Sequence, residues 1–408
     1  MKKIAITYNI FSYISLFFLL CSSFLGNTAK MVSFIIFAIV SLPSIILRFK
    51  INKYIIWQLL FTIFVIASYL WAPKEAIDRT STLFSFLMVG SASYIMLWSF
   101  CVLDNRKKIN IVLNIYLASS LFLFFFLLFN GVFNNLLINR LGNSIGLNAN
   151  EIGVSMAVCA LISLYKIISS KGIIKKTIYS VFVAGSIFVV LISGSRTSIL
   201  IVVLSLIILL LIKGGLKNTI WSFLIIAFLC LILYRLLVGI ESLYEIIGYR
   251  VESLTRTLLY GDDTLDGSIV LRNYLKTQAL NCFVQNPILG AGVNGFHTYL
   301  RGVGSEYITY SHCNYTELLA NFGLIGLLLF YIPKIYLIVF SFAKKTYKTS
   351  KWNLFILCVV IAIMISEYGL VSYSNIHIQF VYVLFFLSLA KKSDEQIAYS
   401  NSGMCCYN

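Results

Sequence analysis

Long apolar stretches separated by short polar connections dominate this chain. Predominantly apolar runs occupy 4–25, 31–47, 54–72, 80–102, 109–129, 151–168, 177–193, 197–212, 219–237, 315–342, 353–373 and 375–390. A helix that is apolar all round belongs in lipid or a large core. About 20 such residues cross a hydrocarbon layer. The pattern therefore predicts an all-α integral membrane protein of about 12 transmembrane helices, with both termini on one face. The last run is short for a crossing. The first is too long for a secretory signal peptide and lacks a small-residue cleavage site after it. No internal repeat of the kind that builds inverted-repeat transporters is visible.

Composition agrees. The 408 residues are 60% hydrophobic and only 12% charged, with a mean hydropathy of +0.91. A soluble domain carries about 25% charged residues. A soluble enzyme, a disordered regulator and a nucleic-acid partner are all excluded, despite a net charge of +17. The charge reports topology instead. Twenty Lys and Arg fall on one face, from Lys2 and Lys3 through 48–53, 106–108, 166–176, 213–217 and 344–351 to Lys391 and Lys392. Only Asp104, Asp394 and Glu395 oppose them, so this face carries the whole +17. The positive-inside rule makes it cytoplasmic. Its basic residues face anionic membrane lipid.

The connections on the other face are unlike the cytoplasmic ones. Segment 130–150 is rich in Asn and Gly, and segment 241–313 has 73 residues. Loops of that length usually carry function. The chain divides into transmembrane helices 1–5 (1–129), helices 6–9 with an outer SGSR turn (130–240), the large outer loop (241–313), helices 10–12 (314–392) and a polar cytoplasmic tail without a predicted element (393–408).

Several residues carry candidate chemistry. Arg196, in SGSRTS between two apolar runs, faces an outer cavity, because hydrocarbon penalises a buried guanidinium by at least about 2.5–3.5 kcal/mol. A snorkelling side chain and a bidentate anion clamp both fit it. Ser268 caps a helix through IVLRNYLKTQALNCFVQ, which Asn286-Pro287 stops. Arg272 and Lys276 share one face of it, and the pattern predicts an amphipathic helix on the outer membrane surface or an ordinary packed loop helix. Gly290-Ala291-Gly292-Val293-Asn294-Gly295 matches a dinucleotide fingerprint literally. It follows a helix and not a strand, so it is read as a sharp, close-packed turn. His312, at the outer mouth of the tenth run, suits a general base or a boundary hydrogen bond. Glu317 follows at i+5. Glu367 is placed to pair with His377 or an arginine, and Lys334 balances it. His297 has no informative context, and Asp262, Asp263 and Asp266 read as a hydrophilic turn. No Cys/His spacing for zinc occurs, and the cysteines form no disulfide framework.

Arg140, Arg196, Arg272 and His312 come from distant parts of the chain, yet the topology sets all four on the outer face. Several cations and one base at the lip of a bundle suit a diphosphate headgroup with a long hydrocarbon tail.

Four segments resemble the bacterial O-antigen polymerase / O-antigen ligase superfamily over about 130–340. SGSRTSIL resembles its arginine turn between two spans. LRNYLKTQALNCFVQNPILGAGVNGF resembles its arginine-bearing loop helix and Pro-x-x-Gly-x-Gly, and SHCNYTELLANFGLIGLL its His-Asn-x-x-x-Glu entry to the next span. NSIGLNANEIG resembles its Asn-rich stretch. Cys313 departs from the pattern by separating His312 from Asn314. The resemblance implies inverting, metal-independent glycosyl transfer from undecaprenyl diphosphate, without a cofactor, at the periplasmic face of the bacterial inner membrane. It implies His312 as base, Arg196, Arg272 and Arg140 as diphosphate ligands, and Glu317, Asn314, Ser195 and Asn150 as supporting residues. Donor and acceptor would both be lipid-linked oligosaccharides, with a polysaccharide chain-length regulator as a further, optional partner. The His312–Glu317 and Pro287–Gly292 segments look more like polymerases than ligases. A flippase for the same lipid-linked units is the alternative of another class, and the 73-residue outer loop counts against it.

Overall fold

The computed structural model describes residues 2–47, 53–74, 106–135, 141–213 and 267–402, with isolated positions between 220 and 256. Every regular element among the described residues is helical. Among the described residues, seven α-helices precede α8 (Gly267–Gln285): α1 (Lys2–Ser22), α2 (Asn27–Leu47), α3 (Lys53–Ser68), α4 (Arg106–Phe129), α5 (Ala149–Ser169), α6 (Ile173–Ile192) and α7 (Arg196–Lys213). The loop contributes α8 and α9 (Gly295–Gly302). Then come α10 (Asn314–Ala343), α11 (Lys351–Ser366) and α12 (Ile376–Ser402).

Among the described residues, five helices are long and apolar enough to cross a membrane, and five shorter apolar ones include Ile10–Ser22, Ile55–Ser68 and Arg196–Ile212. These ten coincide with ten of the twelve apolar runs. Run 80–102 lies outside the described residues, as does most of 219–237. Helix α12 continues to Ser402, so the polar stretch read as a tail without an element is helical that far.

The bundle is apolar on its outer surface as well as in its core. Large apolar side chains such as Ile10, Phe11, Ile14 and Phe18 are exposed along α1, as a lipid-facing stripe requires. Helix α5 sits at the centre and packs on α4, α6, α7, α11 and α12. Its residues from Ile152 to Ser163 are buried without interruption. Buried serines return their hydroxyls to carbonyls one turn back, as Ser22 does to Leu19 (2.8 Å) and Ser119 to Tyr116 (2.8 Å).

Helix α10 is broken at Gly323, whose φ of 61° and ψ of −164° suit only glycine. The break frees backbone groups on both sides of it. The Gly-rich turn after α8 takes them up: Ala291 N–H donates to Ala320 O (2.9 Å) and Gly292 N–H to Asn321 O (2.8 Å). In return Leu324 N–H donates to Pro287 O (2.9 Å) and Ile325 N–H to Ile288 O (3.2 Å). A Cβ on Gly290 would collide with the backbone nitrogens of Phe322 and Gly323, so the motif is a plug shaped to a helix break. It serves as the predicted close-packed turn.

Of the two readings of α8, the ordinary packed loop helix is observed and the amphipathic surface helix is not. Its apolar residues do not form one face. Leu275, Ala279 and Cys282 are buried against α9 and α10, while Val270, Leu280 and Val284 are exposed on another edge. It is a docked loop helix: Leu275, Ala279 and Cys282, at i, i+4 and i+7, form its buried stripe, and its other apolar residues lie off that stripe. Helix α9 is the amphipathic one, burying Phe296 and Leu300 at i, i+4.

Candidate functional site

The site assembles where α5, α7 and α10 begin and α11 ends. His312 precedes α10 with φ 57°, a left-handed backbone uncommon for a non-glycine residue. Glu317, buried in the first turn of α10, accepts from Ser311 N–H (2.6 Å) and from Asn321 Nδ2 (2.8 Å). Asn321 Oδ1 in turn accepts from Phe296 N–H at the start of α9 (3.0 Å). One carboxylate thus fixes the residue before His312 and ties it to the Gly-rich turn. Ser311 Oγ donates to Cys313 O (2.9 Å), which tightens the bend further. The carboxylate bonds a backbone group of the histidine loop, so the i+5 spacing places it behind His312 and not beside it.

Tyr310 is the hub, and nothing in the sequence pattern singled it out. Its ring centroid lies 4.2 Å from that of His312. The Asn148 side chain hydrogen-bonds its phenol, and Arg272 interacts with it electrostatically. Burial raises the Tyr310 phenol above its ordinary value, while Asn148 and Arg272 pull it back. Burial lowers Arg272 from its usual range, with Tyr310 opposing that shift. The Asn-rich stretch is present through Asn148, the N-cap of α5, whose Oδ1 accepts from Asn150 N–H (2.9 Å). Asn150 is half-buried in the first turn, beside Glu151.

Lys276, one turn beyond Arg272, holds its Nζ 3.7 Å from the ring centroid of Tyr368. Tyr368 belongs to a 3-10 turn, Glu367–Gly369, at the end of α11. The carbonyl of Gly369 accepts from Thr197 Oγ1 (3.2 Å), next to Arg196. The SGSRTS turn is itself compact. Ser193 Oγ accepts from Ser195 N–H (3.2 Å), and Ser195 Oγ accepts from Ser198 Oγ (2.8 Å). Gly153 of α5 lies against Ser193 and Ser198 with no room for a Cβ. A chain of contacts therefore runs from Asn148 through Tyr310, Arg272, Lys276 and Tyr368 to the turn that carries half-buried Arg196.

Other predicted residues sit elsewhere. Ser195 is buried in the turn and serves its geometry. Asn314 is fully buried, accepting from Ser372 N–H (2.9 Å) and Tyr373 N–H (3.2 Å) and donating to Tyr331 Oη (2.8 Å). It fastens the start of α10 to the segment after α11. Glu367 meets neither His377 nor an arginine among its hydrogen-bond partners. Tyr331 (2.6 Å), Tyr382 (2.7 Å) and Ser372 donate to it, and Lys334 lies close enough to interact electrostatically. Arg140, Asp262, Asp263 and Asp266 lie outside the described residues. Cys282 and Cys313 are buried free thiols.

Residues 180–331 match the family model described as O-antigen ligase. No curated protein matches the chain. The matched stretch takes in the arginine turn, α8, the Gly-rich turn and the histidine segment, whereas α1–α5 lie outside it. The match fits an O-antigen polymerase or an O-antigen ligase, a glycosyltransferase-like membrane enzyme in either case. The resemblance carried by these motifs is thereby borne out: residues 180–331 are similar to the O-antigen polymerase / O-antigen ligase superfamily.

Proposed function

We propose that the chain is an O-antigen polymerase. It transfers a growing glycan from undecaprenyl diphosphate to a lipid-linked repeat unit, at the periplasmic face of the inner membrane. The observation that carries this reading is that Tyr310 lies against His312 and interacts electrostatically with Arg272. His312 takes the proton of the acceptor hydroxyl as that oxygen attacks the anomeric carbon. The bond from that carbon to the diphosphate oxygen breaks in the same displacement, so the configuration inverts. Charge grows on the leaving diphosphate, and Arg196 and Arg272 stabilise it there, where fixed donors act best. Glu317 keeps His312 in place through Ser311. The apolar flank of the bundle receives the polyprenyl tail.

Ligation of the glycan to lipid A–core is the second reading, and the description of the matched family favours it. The sequence of the His312–Glu317 and Pro287–Gly292 segments favours polymerisation. Nothing in the family match supports a flippase. A surface-polysaccharide gel from a deletion strain, complemented with wild type or His312→Ala, tests the assignment. Core carrying a single repeat unit in the uncomplemented and His312→Ala strains is the polymerase result. Bare core with long glycan retained on the carrier makes it a ligase. An unchanged ladder with His312→Ala removes the base from the mechanism.

A further inference from the structure

Arg272 and Lys276 sit one turn apart on the edge of α8 that adjoins its buried Leu275 and Ala279. Side chains at i, i+4 are neighbours, about 5–6 Å apart at Cβ. The groups that act electrostatically on Lys276 are Cys313 and Arg272, and the group that acts on Arg272 is Tyr310. Among the described residues no carboxylate forms an ion pair with either cation. Burial lowers Lys276 below the usual lysine range, and the charge of Arg272 lowers it further. Two part-buried like charges side by side repel each other. An anion with two charged centres relieves that repulsion, and one with a single centre does so less.

Lys276 also rests against Tyr368, which is 63% exposed. An aromatic face holds an ammonium more weakly than an oxyanion does. Lysine suits a cation that changes partners, being a point charge on a flexible stem with three rotatable donors. We propose that Lys276 reads the second phosphate of the lipid carrier, leaving the Tyr368 ring for one phosphate while Arg272 grips the other. This inference rests on the diphosphate site of the proposed function. It adds a residue that selects diphosphate over monophosphate carriers.

The experiment is a binding titration of the full chain in nanodiscs, with undecaprenyl diphosphate and undecaprenyl monophosphate as probes. Lys276→Met keeps most of the stem and removes the charge. It is expected to weaken diphosphate binding about tenfold or more while leaving the monophosphate within about twofold. Lys276→Arg is expected to keep the preference. A melting temperature equal to wild type shows that the variants are folded. If Lys276→Met binds both lipids as wild type does while Arg272→Ala loses the diphosphate, Lys276 has no such role and the site reading stands. Equal loss for both lipids makes Lys276 a general attractor and overturns the selection. If Arg272→Ala also binds as wild type, the diphosphate site and this inference fall together.

Discussion

Two histidines lie at the same end of the bundle, and their surroundings differ in kind. His377 is buried, with Nε2 3.0 Å from Ser23 Oγ and Nδ1 3.1 Å from Tyr116 Oη, and its ring stacks on Phe24 at 5.2 Å. Both nitrogens are committed to the protein. His312 is half-buried on a left-handed backbone, lying against Tyr310 beside a pair of cations. The same contrast separates two carboxylates. Glu367 is closed in by Tyr331, Ser372, Tyr382 and Lys334, whereas Glu317 is spent on aiming a loop. Polar groups satisfied by one another hold helices together. Polar groups around Glu317 instead shape the segment that carries His312 and set it against Tyr310.

The comparison is broken most sharply at His312. His312→Ala is expected to lower turnover by about 10²–10⁴-fold, the usual worth of a general base, with an unchanged melting temperature. Arg272→Ala is expected to lower it by about 10²–10³-fold. Transfer assays on purified protein with lipid-linked substrate check both. Loss of folded protein in either variant would move these residues into the structural class with His377.

Gly323→Ala comes next, on stability. The substitution places a Cβ against Ile288 O and forces a residue into a glycine-only conformation. A loss of about 3 kcal/mol or more is expected, read as a fall in detergent-resistant folded protein. Glu317→Gln has a smaller effect. The amide keeps one acceptor for two donors, so about 1–3 kcal/mol of loop anchoring is lost. Turnover is expected to fall more than the melting temperature does. His377→Gln is the smallest change, costing about 1 kcal/mol of stability. Activity per folded molecule should match wild type, and any selective loss of turnover would erase the distinction between the two histidines.

Much of the fold was legible because lipid imposes one rule on each span. Ten apolar runs become helices, eight of them with both ends within a few residues of the prediction, since run length is set by hydrocarbon thickness. The Ser268–Gln285 helix and its Pro stop were equally plain. Burial of α8 was not, because apolar Val270, Leu280 and Val284 lie off its buried stripe and its docking depends on a break 38 residues after its end. The site was legible as a set of charged and titratable residues on one face. Tyr310 and Tyr368 were invisible among 25 tyrosines, since an aromatic residue announces its role only through what it touches. Asn314 was misleading for the opposite reason: it neighbours His312 in sequence, yet its side chain turns inward to the 370–373 segment.

The plug in α10 bears on how the chain is made. Residues 287–292 leave the ribosome before residues 320–325, so the turn is made before the helix break that needs it. A broken span arriving alone would expose bare carbonyls and amides to lipid. Chain order removes that interval, because the partner for each freed group has already been made. Moving the loop behind α10 by circular permutation would keep every contact of the finished protein and forfeit that order of delivery.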